Sequence, residues 1–386
     1  MAFVTGLMLI DAPASALNNA GAEDGARTDN TIAVKRIRTR AGDYPYVSAQ
    51  AVRYWVRTLL ERSAPEWKAA PVFREAKIAY TDANPILYWD DDLFGYMRAP
   101  SKRAGARSEE PEAQQTPLTG EITRISPLRT GTLVSLSPVR IVDDFGTMAR
   151  QNGDPVPHEH QFYRTTLQGL FSLSLSTAGT FFNGGRVGYR NLDEHRVKVA
   201  KEKKLTPITL HGQPAFRLPQ PERAQRVATL IRAFGDLEGG AKLSLHYTDV
   251  TPSLIIAAVI RGGNHPFSRV VRTDSQGRPE VVLEALKEVL RVYKDQILSD
   301  VFIGWPKGYL DEQREMVKSL TNIEAKEPVS VLHEEVHEQQ NTLEGDPQAP
   351  TESSRAQIRF RWGHPREVMA ALAEELGKDS NGGWYD

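Results

Sequence analysis

The chain has 386 residues, a quarter of them charged, a formal net charge of −1 and no cysteine. That length allows one large domain with insertions or two smaller ones, and the missing cysteine excludes disulfides, thiolate zinc sites, iron–sulfur clusters and cysteine nucleophiles together. No apolar run reaches the ~18 residues of a membrane span, and "MAFVTGLMLIDAPASALNN" lacks a basic leader and is broken by Asp11, so no secretory signal is indicated and the cytoplasm is the expected location.

In chain order, "AFVTGLMLID" reads as a buried first strand, and "TIAVKRIR" alternates Ile32, Val34 and Ile37 with basic residues as a half-solvated strand does. After the "AGDYPYV" punctuation, Ser48 is a good N-cap for a helix through about Glu61, with Val52, Trp55, Val56 and Leu59 on one face. Gln50, Arg53 and Arg57 share the opposite face. From Arg27 to Arg57 seven bases oppose two acids, a net of +5 hidden by the overall average.

Regularity fades from about 64 to 131, where "WDDDLFGYM" precedes a charged, Pro- and Ala-rich stretch that suits an insertion. "TGTLVSLSPVRIV" is strand-like. "DDFGTMARQNGDPVPHEHQ" reads as irregular, and "FYRTTLQGLFSLSLSTAGTFF" is the longest β-like run. Helical patterns at "PERAQRVATLIRAFGDL" and "PEVVLEALKEVLRVYKDQIL" flank the apolar strand "SLIIAAVI". The order strand, helix, strand, strand, helix, strand, with insertions, predicts an α+β, ferredoxin-like or RRM-like fold.

Several short patterns invite chemistry. The surface of "VKRIRTRAGDYPYVSAQAVRYWVR" is suited to a phosphate backbone, or simply to keeping an open helix face solvated. "IRGGNHPFSR" follows an apolar strand, and its glycine amides with Arg261, Asn264 and His265 suit a phosphate, against a plain turn. "FNGGRVGYRN" has neither dinucleotide nor P-loop spacing and reads as a turn. His158 and His160 stand two apart in a Pro-rich loop. His333, Glu334 and His337 form H-E-x-x-H, the helix spacing of a zinc hydrolase, but from Tyr309 to Ser354 eleven acids face three bases. That segment reads first as a solvated acidic stretch.

"YPYVSAQAVRYWVR", "WDDDLFGYM", "FYRTTLQGLFSL" and "RGGNHPFSR" together resemble the Cas-seven family, the DevR-like branch of CRISPR-associated proteins that form the backbone of type I Cascade complexes. The resemblance covers most of the chain in order, and the S-x-Q helix start is its most specific element. It implies a right-hand-like architecture: an RRM-like palm over 1–64, 131–141 and 165–386, a finger insertion over 65–130, a thumb over 142–164, and an acidic C-terminal region.

It further implies copies stacked head to tail along the spacer of a CRISPR guide RNA, which pairs with a target DNA strand, among other Cascade subunits. Carried over by position, Lys35, Arg38, Ser48, Gln50, Arg53 and Arg57 fall on RNA-contacting elements. Arg261, Gly263, Asn264 and His265 fall on the glycine loop, and Phe145 and Met148 are the thumb residues expected to wedge at a kink. Neither catalysis nor a cofactor, metal or membrane partner is expected. The alternatives are a guide-directed ribonuclease using Asp90, Asp91 or Asp92, for which capping and solvation is the expected role instead, and the zinc hydrolase.

Overall fold

The computed structural model describes residues 1–21, 31–75, 78–100, 115–150, 152–186, 189–324 and 358–386. The first apolar run becomes β1 (Ala2–Ser15), inaccessible on both faces through Ile10. Such a strand carries no alternation because both its faces are covered. Basic residues then line an outer ribbon, β2 (Thr31–Val34), β3 (Arg36–Thr39) and β4 (Gly42–Val47). The expected single strand over "TIAVKRIR" is thus broken at Lys35, where the chain changes partner strand.

Helix α1 (Ala49–Ser63) follows; the insertion carries α2 (Trp89–Phe94), and β5 (Leu128–Thr130) and β6 (Leu133–Ser135) come after it. A long hairpin is made by β7 (Val142–Met148) and the 19-residue β8 (Val156–Ser174). Then come α3 (Gln220–Ala233), β9 (Leu254–Arg261), α4 (Leu283–Val292) and β10 (Val301–Gly304). The chain closes with α5 (Asp311–Glu324), β11 (Phe360–Gly363) and α6 (Pro365–Leu376).

The main sheet runs β11-β10-β9-β1-β8-β6-β4-β3, with β5 also on β8. Within this path β1 is antiparallel to β8 (Gly6↔Phe171) and to β9 (Phe3↔Ile260), whereas β10 and β11 run parallel. Helices α1 and α3 cross one face: Val52, Trp55 and Val56 share a core with Val227, Leu230 and Ile231, and with Val4, Met8 and Phe171 beneath them. Helix α6 joins this layer through Met369 and Leu372. Burying each of these large side chains contributes roughly 1.5–3 kcal/mol.

The other face of β1, β9 and β10 is covered by Phe267, Leu286 and Trp305 around Leu7, Leu9, Ile256 and Ile303. Towards β8 this cover thins, and Gln168, Leu170 and Ser172 are only half-buried. Gly6 is required in β1, because a Cβ there would stand 2.2 Å from Phe171, whose ring stacks on Phe234 at 4.2 Å.

One expectation needs correction. The stretch 143–161, read as irregular, lies in a hairpin with Val142 opposite Phe162 and Met148 opposite Val156. Its Asp, Gly and Pro content disguises strands held by their pairing. Residues 128–130 pair with β8 in the main sheet. Residues 175–219 contribute strands Thr180–Phe182, Thr206–Leu210 and Gln213–Arg217 and helix Glu194–Glu202 to a second core. There Phe181, Leu192 and Leu218 pack on Ile86 of the insertion, and the buried Arg196 guanidinium donates to the carbonyls of Asp82 and Ala83. His333, Glu334 and His337 lie outside the described residues.

Candidate nucleic-acid interface

The start of α1 is held by Asn18. Its side-chain oxygen accepts from the Ser48 N–H at 3.0 Å, and its carbonyl accepts from the Lys35 N–H at 2.9 Å. Ser48 in turn caps the helix, its Oγ accepting from the Ala51 N–H at 3.3 Å. Lys35 and Ser48 are therefore neighbours through one residue, with Gln50 exposed on the first turn. Arg38 lies on the exposed outer ribbon opposite Asp43.

One turn along, Arg53 and Arg57 flank the ring of Phe94, their guanidinium carbons 5.0 and 4.5 Å from its centroid. Arg53 is committed to the fold: it donates to the carbonyls of Leu128 (3.0 Å) and Phe94 and to Ser126 Oγ (3.3 Å). Burial, and secondarily Arg57, push its pKa down to about 10. Arg57 is looser. It faces Asp90 at 3.8 Å, remains about one-third exposed, and its Nε has no hydrogen-bond partner. Two neighbouring cations opposed by one distant carboxylate leave a positive excess that an arriving anion relieves.

At the end of β9, Gly262 adopts φ +92° and donates its N–H to the Met1 carbonyl at 3.0 Å, turning Gly263 and Asn264 outward. Arg261 is exposed beside them. His265 folds back, Nε2–H donating to the Gly6 carbonyl at 2.9 Å, and burial lowers its pKa. Its ring is accordingly neutral at pH 7, and the buried, unpartnered Nδ1 is an acceptor. His265 therefore brings no cation to the glycine loop, and its buried Nδ1 is out of reach of a ligand.

The helix and the glycine loop meet across residues 126–129. Ser126, the partner of Arg53, lines a cleft of about 210 Å³ with Phe3 and Arg129. A Cβ on Gly263 would lie 3.7 Å from the Phe3 ring and 4.0 Å from Arg129. None of Lys35, Arg38, Ser48, Gln50, Arg53, Arg57, Arg261, Gly263, Asn264 and His265 lines this cleft; Arg53 reaches its wall through Ser126, and Gly263 lies beside Phe3 and Arg129. Sequence reasoning missed Phe3, Arg129 and Tyr189 in it; the one local signal was the aromatic and arginine pair in "GYRN", read only as a turn.

On the β7–β8 hairpin Phe145 is 57% and Met148 53% exposed. Phe145 stands opposite Glu159 and Met148 opposite Val156, three residues apart on one strand and so on opposite faces. His158 and His160 share the Met148 face, ring centroids 4.8 Å apart, and Lys242 Nζ donates to His160 Nδ1 at 2.7 Å. Among the described residues no group of three or more His, Asp or Glu is placed to hold a metal.

The acids of α2 are not solvated, contrary to expectation. Asp90, Asp91 and Asp92 are all buried. Asp90 accepts from the Ala70 N–H at 2.7 Å, Asp91 from Thr81 and the Asn84 N–H, and Asp92 from the Gly179 N–H, Arg124 and Arg226. Each carboxylate is spent on internal donors: those of Asp90 and Asp91 lie within the insertion, and those of Asp92 tie it to α3 and to residues 175–219.

No protein-family model and no curated protein matches the chain. Solved structures are similar to it, two of which follow. One is described as "CRISPR RNA-guided surveillance complex, pre-nicking", with 12% identity, a TM-score of 0.47, and 97% of this chain and 99% of that chain covered. The other, "CRISPR RNA-guided surveillance complex", has 13% identity, a TM-score of 0.40, and coverage of 82% and 99%. Both neighbours are CRISPR RNA-guided surveillance complexes. Among the described residues no helix is long and apolar enough to cross a membrane.

Proposed function

We propose that the chain is a member of the Cas-seven family and a non-catalytic backbone subunit of a type I Cascade complex, binding guide RNA along its spacer. The observation that carries this reading is the meeting of the cationic α1 face with the glycine loop around residues 126–129. Motifs far apart in sequence, each of which alone suits a solvated helix or a turn, approach one short stretch of chain, Arg53 through Ser126 and Gly263 beside Arg129. The order β9-β1-β8-β6, antiparallel and crossed on one face by α1 and α3, supports an RRM-like palm. The β7–β8 hairpin supplies the thumb and residues 65–127 the fingers.

In this reading Lys35, Arg38, Arg57 and Arg261 neutralise phosphates, Gln50, Asn264 and the Gly263 amide hydrogen-bond sugar or phosphate oxygens, and Ser48 and Arg53 hold α1 in place. Such contacts position an RNA without reading its sequence, leaving base edges free to pair with target DNA. Copies follow one another head to tail along the guide, with other Cascade subunits at the ends. The burial of Asp90, Asp91 and Asp92 favours a binding role over target cleavage, since a catalytic carboxylate has to reach substrate or metal.

The test is co-expression with neighbouring genes and a CRISPR array, salt-washed purification, and sequencing of the bound nucleic acid. Uniform array-derived RNA, protected along its spacer and lost when Gln50 and Arg57 become alanine, is expected. A nucleic-acid-free monomer overturns the reading. Metal-dependent cutting of complementary RNA by the loaded assembly overturns its non-catalytic part.

A further inference from the structure

The loop over 238–250 leaves the palm and comes back to it. The Ala241 N–H donates to the Leu17 carbonyl at 3.0 Å, and Thr248 Oγ1 lies 2.6 Å from Ser15 Oγ. Gly239 and Gly240 seat the loop: Cβ atoms there would stand 2.3 Å from the Trp55 ring and 2.6 Å from Leu17, and their φ angles are +156° and +120°. Between these anchors Lys242 takes φ +53°, and its carbonyl accepts from the N–H groups of Leu245 and His246 at 3.0 and 2.9 Å. A lysine holds that conformation only where its surroundings over-determine it.

What this knuckle carries points at the β7–β8 hairpin. Lys242 Nζ donates to His160 Nδ1, and the His246 ring stacks on Phe162 with centroids 5.1 Å apart. His246 Nε2 is buried without a hydrogen-bond partner, so its hold is the stack. His160 and Phe162 share one face of β8 with His158, whose ring lies over Gly146, where a Cβ would come within 2.6 Å of Nε2. On the opposite face Glu159 accepts from Thr31 and Gln161 from Arg36. The hairpin is therefore held from both faces where it leaves the main sheet, on one by the outer ribbon and on the other by the Lys242 hydrogen bond and the His246 stack.

We propose that residues 238–250 are a brace that sets the angle of the thumb on the palm, with Lys242 and His246 as its positioning residues and His160 as its release. Lys242 donates only to a neutral ring, because Nδ1 of an imidazolium carries its own proton. The groups facing His160 are Lys242 and His246 from the brace, His158 from β8 and Asp144 from β7; β2, beside it through Ile32, brings none. Burial first, and then the three bases against Asp144, lower the His160 pKa. The neutral, braced form holds at pH 7 and is given up as pH falls below the usual histidine range. The inference rests on the guide-RNA reading for what a set thumb serves, and not for the brace itself.

The chain has no cysteine, so nitroxides placed by Asn152→Cys on the hairpin turn and Glu61→Cys on α1, both exposed positions, report one distance by pulsed EPR. In the full chain a single narrow distribution is expected at pH 7.5 and a second population at pH 5.5. Lys242→Met, which keeps the stem and removes the donor, should show both populations at either pH. His160→Asn, whose Oδ1 stands where Nδ1 does and does not titrate, should keep the narrow one throughout, with thermal melts checking that each variant is folded. An unchanged distribution in Lys242→Met at pH 7.5, or a pH response in His160→Asn equal to the parent's, overturns the brace. Retention of guide RNA from the co-expressed array should fall about fivefold in Lys242→Met, as when a binding-competent position is populated only part of the time. If the distances respond as expected and the parent carries no RNA, the brace stands and the RNA reading falls. If RNA is carried and the distances do not respond, the RNA reading stands and the brace falls.

Discussion

Asp92 is wholly inaccessible and sits between Arg124 and Arg226, with the Gly179 N–H on its third side. Removing one member of a buried ion-pair group leaves the others charged and unpaired, which typically costs about 3–5 kcal/mol. Asp92→Asn is therefore expected to lower the unfolding free energy by about that much, read by urea denaturation; a loss under about 1 kcal/mol would mean that the arginines find water instead. Its neighbour Asp91 has its pKa pushed up to about 7, by burial first and then by Asp90. Between the ordinary carboxylate range and about 7 the unfolded chain gives up a proton that the folded chain keeps, so this group's contribution to stability declines as pH rises through that window. The melting temperature of Asp91→Asn should fall less between pH 5 and pH 8 than that of the parent, and parallel curves would remove Asp91 as the cause. None of this was legible in "WDDD". Three consecutive acids read as solvated by default, and what buries Asp92 comes from residues 32 and 134 positions away.

Among the elements, α1 separates two tasks that its sequence presents as one basic stripe. Arg53 bonds backbone carbonyls across the cleft wall, so Arg53→Ala should lower stability by about 1.5–3 kcal/mol, the usual range for hydrogen bonds to a charged group. Arg57 has one distant ion pair, so Arg57→Ala should leave the melting temperature within a few degrees and reduce the salt slope of RNA binding by about one phosphate. Equal stability losses in the two variants would contradict that division. The helix itself was readable because Val52, Trp55, Val56 and Leu59 keep its period; which arginine faces inward was not, because Phe94 and Leu128 approach from outside the helix. On the hairpin, Met148 shares its face with Val142 and Val156, an exposed apolar patch, whereas Phe145 stands beside the Glu159 position. Met148→Asp is expected to weaken RNA retention more than tenfold in co-purification and Phe145→Asp to change it less than threefold, orders of magnitude set by the loss of one stacking or wedging contact. The reverse ranking would move the wedge to the other face. The hairpin escaped notice because its strands alternate across two partly solvated faces and include Gly146 and Pro157, which lower strand propensity.

At the scale of the molecule, β1, β8 and β9 were legible as strands because long apolar runs leave few alternatives, and helices between them made a mixed α and β fold legible too. The second core, joining residues 65–127 to 175–219, had no such signal: its strands are three to five residues long and its joints are made by Arg124, Arg196 and Arg226. Those joints bear on the order in which the protein is made. A ribosome delivers Asp92 and Arg124 early, but Arg226 emerges only 134 residues after Asp92, and until then one guanidinium of the group is missing from a site designed for two. The insertion therefore has no finished partner until most of the sheet is made and only β9, β10 and β11 are outstanding, and its consolidation coincides with the arrival of α3. Ribosome-stalled chains ending near residue 215 should be cleaved by protease within 78–100, whereas chains stalled after residue 290 should be protected there; equal protection in both would show that the insertion matures on its own. A fold that spreads its keystone across the reading frame in this way guards against partial products, since a truncated chain lacks a closed insertion as well as the rest of its sheet.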